Sequence, residues 1–125
     1  MKKILIISTD RQKGGSITTF NHIAQQLNLT VLGIAEDFAT ISAYIQKTIP
    51  DLIICDVSLN DDYDGLEILR QISTKYPIAS ILVSSWPNTS YPDETQGIQV
   101  VGYLTKPFVP NQVKITIKVS LGSLV

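Results

Sequence analysis

Short, unbroken apolar runs alternate with segments of helical period along this chain, and that alternation limits the folds open to it. KILIIS (3–8), LTVLGIA (29–35), DLIICD (51–56) and SILVS (80–84) are near-continuous apolar runs. Runs of this length mark strands buried on both faces. A fifth strand lies within GIQVVGYLT (97–105). Between the runs the period changes. Ile17, Phe20, Ala24 and Leu27 fall at helical spacing, with Ser16 placed to cap them. Asp37 is placed to cap a helix whose Phe38, Ile41, Ile45 and Ile49 share a face, and Pro50 stops it. Leu66, Leu69, Ile72 and Tyr76 point inward from a third helix, followed by Pro77. Strands alternating with helices predict an α/β fold of three layers: a parallel sheet with helices on both faces.

A chain of 125 residues suits one domain, here taken as 1–125, with enough length for a core that needs no staple. Hydrophobic residues make up 44% and charged residues 17%, which argues against disorder. The net charge is −1 with no Lys/Arg stripe, so direct nucleic-acid binding is not expected. The single cysteine, Cys55, excludes an internal disulfide and a cysteine zinc site. MKKILIISTD lacks the length and cleavage site of a signal peptide, and no apolar run approaches membrane-spanning length. A cytoplasmic domain without membrane contact is the expectation.

In parallel sheets of this kind, function gathers at the carboxyl ends of the strands. Those ends supply Ser8, Thr9 and Asp10, then Asp56, then Ser84 and Ser85, then Thr105 and Lys106. With adjacent strands, Asp56, Ser84 and Lys106 converge on one pocket. A carboxylate there is either a nucleophile toward phosphorus, forming an aspartyl phosphate, or an acid held at a strand end by a lysine. The spacing does not separate the two.

PDLIICDVSLNDDYDGLEIL together with GYLTKPF resembles the receiver domain of two-component response regulators, over Lys3 to about Leu121. The resemblance implies a flavodoxin-like sheet of five parallel strands in order 2-1-3-4-5. It implies no enzyme, but a phosphorelay signalling domain with Asp56 as phosphoacceptor. Ser84 would hydrogen-bond the phosphoryl oxygens and Lys106 would pair with them. Pro107 would follow by a cis bond, and Tyr103 would be the aromatic switch. Magnesium would take Asp56 and the backbone carbonyl of Ser58. The implied partners are a histidine kinase or phosphotransfer protein and an unidentified downstream protein, with a homodimer left open. The loop from Asp56 to Gly65 resembles a subgroup with the pattern D-x-x-L-x-x-x-x-D-G.

The sequence departs from that pattern in three places. Receivers end the first strand with two adjacent acids that bind magnesium; here those positions are Ser8 and Thr9, and only Asp10 is acidic. Hydroxyls are poor magnesium ligands, so binding is expected to be weak or absent. Asp10 either supplies one oxygen or caps the loop. The chain is therefore either a weakly phosphorylated receiver or a pseudo-receiver, a protein- or ligand-binding module in which Asp56 and Lys106 form a permanent ion pair. Second, SSWPNTSYPDETQG (84–97) carries Pro87 and Pro92 where the family has a helix. Prolines break helix interiors, so a loop with at most a short helix near Asp93–Gln96 is predicted. Trp86, two residues beyond Ser84, either lies over the pocket or anchors a surface contact. Third, VKITIKVSL (113–121) alternates like a strand, yet Val113, Ile117, Leu121 and Leu124 also fit a helix, and Pro110 suits a first turn. A helix is predicted there.

Two other motifs carry less. QKGGSITTF (12–20) is similar to the phosphate loop of ParA-type ATPases but lacks its second glycine-lysine pair. NDDYDG (60–65) opens like an EF-hand loop, but its twelfth position is Gln71 and a strand precedes it.

Overall fold

The computed structural model describes residues 2–9, 15–57, 65–85 and 97–122. Five strands, β1 (Lys3–Ile7), β2 (Thr30–Ala35), β3 (Leu52–Asp56), β4 (Ser80–Ser85) and β5 (Val100–Lys106), form one sheet in the order β2-β1-β3-β4-β5. Every pairing is parallel. The described helices are α1 (Ser16–Gln26), α2 (Phe38–Lys47), α3 (Gly65–Lys75) and α4 (Pro110–Gly122).

The central apolar runs become strands because their apolar side chains find a dry layer on each face, while the edge strand β2 is only half-buried up to Ala35. Successive side chains of a strand point to opposite faces. Ile4, Ile6, Leu52 and Ile54 join Phe20 of α1 and Ile117 of α4 in one cluster. Leu5, Ile7, Ile53 and Cys55 join Ile41 of α2 and Leu69 of α3 in the other. Burying each such aliphatic side chain contributes about 1.5–3 kcal/mol, which is why two apolar faces dictate two helical layers. The sheet therefore has α1 and α4 on one side and α2 and α3 on the other.

Helix boundaries follow local chemistry. Asp37 caps α2 as predicted: its Oδ1 accepts the backbone N–H of Thr40 at 2.7 Å. The helix ends at Lys47, so Ile49 lies beyond it and is 60% exposed, where the periodicity had placed it on the buried face. At the end of α1 the Leu29 N–H donates to the Ala24 carbonyl and the Asn28 N–H to Gln25. Asn28 sits at φ 56°, completing a Schellman stop with the residue that tolerates it after glycine. Ser16 is not the N-cap of α1. Gly15 occupies that position without a side-chain hydrogen bond, and Ser16 is the first helical residue.

The ambiguous segment 113–121 is helical, from Pro110 in the first turn onward. Val113, Ile117 and Leu121 are buried, while Ile115 and Val119 face outward. The helix approaches β5 closely at Gly102, where a Cβ would lie 3.1 Å from the Thr116 Cγ2. The segment 86–96, with the predicted loop and Asp93–Gln96 helix, lies outside the described residues. Among the described residues, no helix is long and apolar enough to cross a membrane.

Candidate functional site

The sheet decides which residues meet. Asp56 has the parity of Leu52 and Ile54, so its side chain points to the α1 side. Ser8 follows β1 with the parity of Ile4 and Ile6 and faces the same way. Its N–H still pairs with the Ala35 carbonyl at 3.1 Å, which extends the strand geometry by one residue. Lys106 ends β5 on the face of Leu104, a member of the same cluster. Cys55 has the opposite parity and lies in the other layer, where its thiol reaches the Gly65 carbonyl at 3.4 Å.

Asp56 is fully buried, and three donors converge on one of its oxygens. The Lys106 Nζ lies 2.6 Å from Oδ2. The Ser16 hydroxyl donates to Oδ2 at 2.6 Å, and the Ser8 hydroxyl approaches it at 3.4 Å. Ser8 and Ser16 are themselves fully buried, whereas the Lys106 side chain is 17% exposed. A buried carboxylate is tolerable only when paired and hydrogen-bonded, and this one is both. The first turn of α1 also brings the positive end of a helix dipole to the carboxylate.

Of the residues singled out in the sequence, Asp56 and Lys106 therefore meet. Ser84 is buried near the end of β4, one residue beyond the Val83 that pairs with Asp56, but it makes no hydrogen bond to Asp56 among the described residues. The Lys106–Pro107 peptide is cis. Tyr103 lies opposite Leu82 in the sheet, 49% exposed and with the parity opposite to Lys106. Asp10, Ser58 and Trp86 lie outside the described residues. Ser16 was missed as a site residue. Its only legible signal was position: a hydroxyl at the start of the helix that follows β1, on the face to which Asp56 points.

The described donors around Asp56 differ from the usual ligands of magnesium. That ion takes carboxylates and water in a tight octahedron. Here the described neighbours of Asp56 include an ammonium and two hydroxyls, and among the described residues no three His, Cys, Asp or Glu side chains gather. The arrangement holds a buried anionic oxygen against the Lys106 ammonium.

Comparison with known proteins identifies the framework. A model of the response regulator receiver domain family matches residues 4–118. The regulatory protein VanRc of Enterococcus gallinarum is 28% identical over 122 residues, which cover 96% of this chain and 50% of that protein. The chain thus spans about half the length of this curated relative. A CheY-like response regulator receiver domain protein from Methanospirillum hungatei superimposes with TM-score 0.81 at 22% identity, covering 99% of this chain and 96% of that one. The signal receiver domain of a modulated diguanylate cyclase from Desulfovibrio desulfuricans gives 0.78 at 19% identity, covering 98% and 94%. These two likenesses are of fold alone. With the family match over nearly its full length, the chain belongs to the receiver domains of two-component response regulators.

Proposed function

We propose that this receiver takes a phosphoryl group on Asp56 and that it does so with weak dependence on magnesium. The observation that carries the reading is the buried Asp56–Lys106 pair at 2.6 Å, at the carboxyl edge of a parallel sheet. A carboxylate is a competent nucleophile toward phosphorus. Lys106 is placed to follow the charge as it moves from the carboxylate to the phosphoryl oxygens. Ser84, one residue past the strand pair, is the hydroxyl assigned to those oxygens. Tyr103, half-exposed on the opposite parity, is the residue whose rotation would report the change. Receiver domains interact with histidine kinases or phosphotransfer proteins and with downstream effectors. For this chain the donor is a protein of that class, acting in the cytoplasm, and the output passes to a protein partner.

A second reading has its own support. Lys106 and Ser16 both hold the same oxygen, and hydroxyls replace the acid pair. A pseudo-receiver would keep this pair closed permanently and signal by binding alone.

Fluorescence of Trp86, the one tryptophan, separates them. Magnesium is titrated first, then beryllofluoride, beside an Asp56→Ala control. The phosphoacceptor reading predicts a saturable beryllofluoride response that the control lacks. An unchanged signal, with no beryllofluoride binding by calorimetry, would favour the pseudo-receiver.

A further inference from the structure

We propose that Ser16 is a positioning residue that restrains the acceptor: its hydroxyl clasps Asp56 to Lys106, and the clasp must open before Asp56 reacts. The inference rests on Asp56 being the phosphoacceptor.

Ser16 lies forty residues from Asp56 in sequence, yet their side chains are 2.6 Å apart in a fully buried setting. It shares the Oδ2 atom with the Lys106 ammonium. The contact is not a helix cap, since Gly15 occupies that position and the Ser16 side chain is turned to the carboxylate. A hydroxyl in the first turn of α1 is thus committed to the charge of Asp56.

The chemistry gives the sign. With an acyl phosphate as donor, a carboxylate oxygen of Asp56 attacks phosphorus. The new P–O bond forms as the P–O bond to the acyl group breaks. The acyl carboxylate leaves with the bonding pair, so total charge is unchanged and no proton is consumed. Negative charge leaves the Asp56 carboxylate during this step. A donor that holds that charge stabilises the ground state more than the transition state, and such an interaction slows the reaction. Lys106 differs because a flexible ammonium can follow the charge to the incoming group. Ser16 is fixed to α1 and cannot follow as far.

A second contact links the same two segments. Phe20 of α1 packs against Phe108, two residues past Lys106, with ring centroids 5.4 Å apart. The segment that follows Lys106 thus packs on the same helix that carries Ser16.

The test compares rates of Asp56 adduct formation with acetyl phosphate, read by intact mass, with and without magnesium. Wild type, Ser16→Ala, Ser16→Thr and Ile23→Val are compared, with Asp56→Asn as the blank. Removing one hydrogen bond to a charged group predicts about a tenfold faster reaction in Ser16→Ala. Ser16→Thr keeps the hydroxyl and is expected to stay near the wild-type rate. Ile23→Val loosens α1 without touching Asp56 and should leave the rate unchanged. Equal or slower labelling of Ser16→Ala, or the same acceleration in Ile23→Val, overturns the clasp while leaving the acceptor intact. Labelling in no variant overturns the acceptor reading and the clasp with it.

Discussion

Replacing Lys106 with methionine should cost far more stability than replacing Asp56 with asparagine, although both break the same ion pair. The asymmetry comes from burial. Asp56 is fully buried, whereas the Lys106 side chain is 17% exposed and can turn its ammonium to water. Removing one partner of a buried pair costs about 3–5 kcal/mol because the other charge is stranded. In Lys106→Met the stranded carboxylate keeps the Ser16 hydrogen bond at 2.6 Å, so the lower end, about 3 kcal/mol, is expected. For 125 residues, about 4 °C per kcal/mol converts this to a melting point roughly 12 °C lower. Asp56→Asn still accepts from Ser16 and frees Lys106 to solvent, so it should cost about 1 kcal/mol. The double variant removes both charges and should be less destabilised than Lys106→Met alone. Urea unfolding at pH 7, followed by circular dichroism with matched slopes, measures all three. An Asp56→Asn loss equal to that of Lys106→Met, or strict additivity in the double variant, would refute the reasoning.

Three further outcomes follow from other parts of the fold. Ile117→Ala should cost about 3 kcal/mol and Ile115→Ala under about 0.5 kcal/mol in the same melts, because only the first is buried; equal losses would place the two on one face, as in a strand. Gly33→Ala puts a Cβ 2.2 Å from the Tyr44 ring, so it should cost about 1–2 kcal/mol, and less in a Tyr44→Ala background. The backbone N–H of Thr40 holds the Asp37 carboxyl below its ordinary pKa, so its stabilisation is complete above the unfolded-state value and is lost as pH falls through the folded one. The stability gap between wild type and Asp37→Ala should therefore shrink on acidification from pH 6 to about pH 3; a gap that widened would reverse the sign.

The layers were legible because burial on both faces leaves a continuous apolar run that few other structures need. The same logic placed Asp56 and Lys106 at strand ends facing one pocket. The C-terminal segment was harder. A strict alternation of β-branched residues satisfies a strand, and its odd members also satisfy a helix at Val113, Ile117 and Leu121. The docking of α4 on β5 decides between them, and it leaves Ile115 and Val119 outside. Ile49 was misplaced because the helix stops two residues before it, at Lys47. Ser16 shows a different limit. Read locally, a serine before an apolar period is a cap. Its partner lies forty residues on, at the end of β3, and no local pattern records that contact. Ser8 read as a hydroxyl at a position where the family carries an acid, and the structure adds that its side chain turns to the Asp56 carboxylate at 3.4 Å.

The most direct test of Asp56 as acceptor is peptide mapping by mass spectrometry after incubation with acetyl phosphate at low and high magnesium. The account predicts one phosphoryl group on the peptide carrying Asp56, lost in Asp56→Asn, with a yield that changes little with magnesium. No adduct at either concentration, or one formed equally in Asp56→Asn, would contradict it.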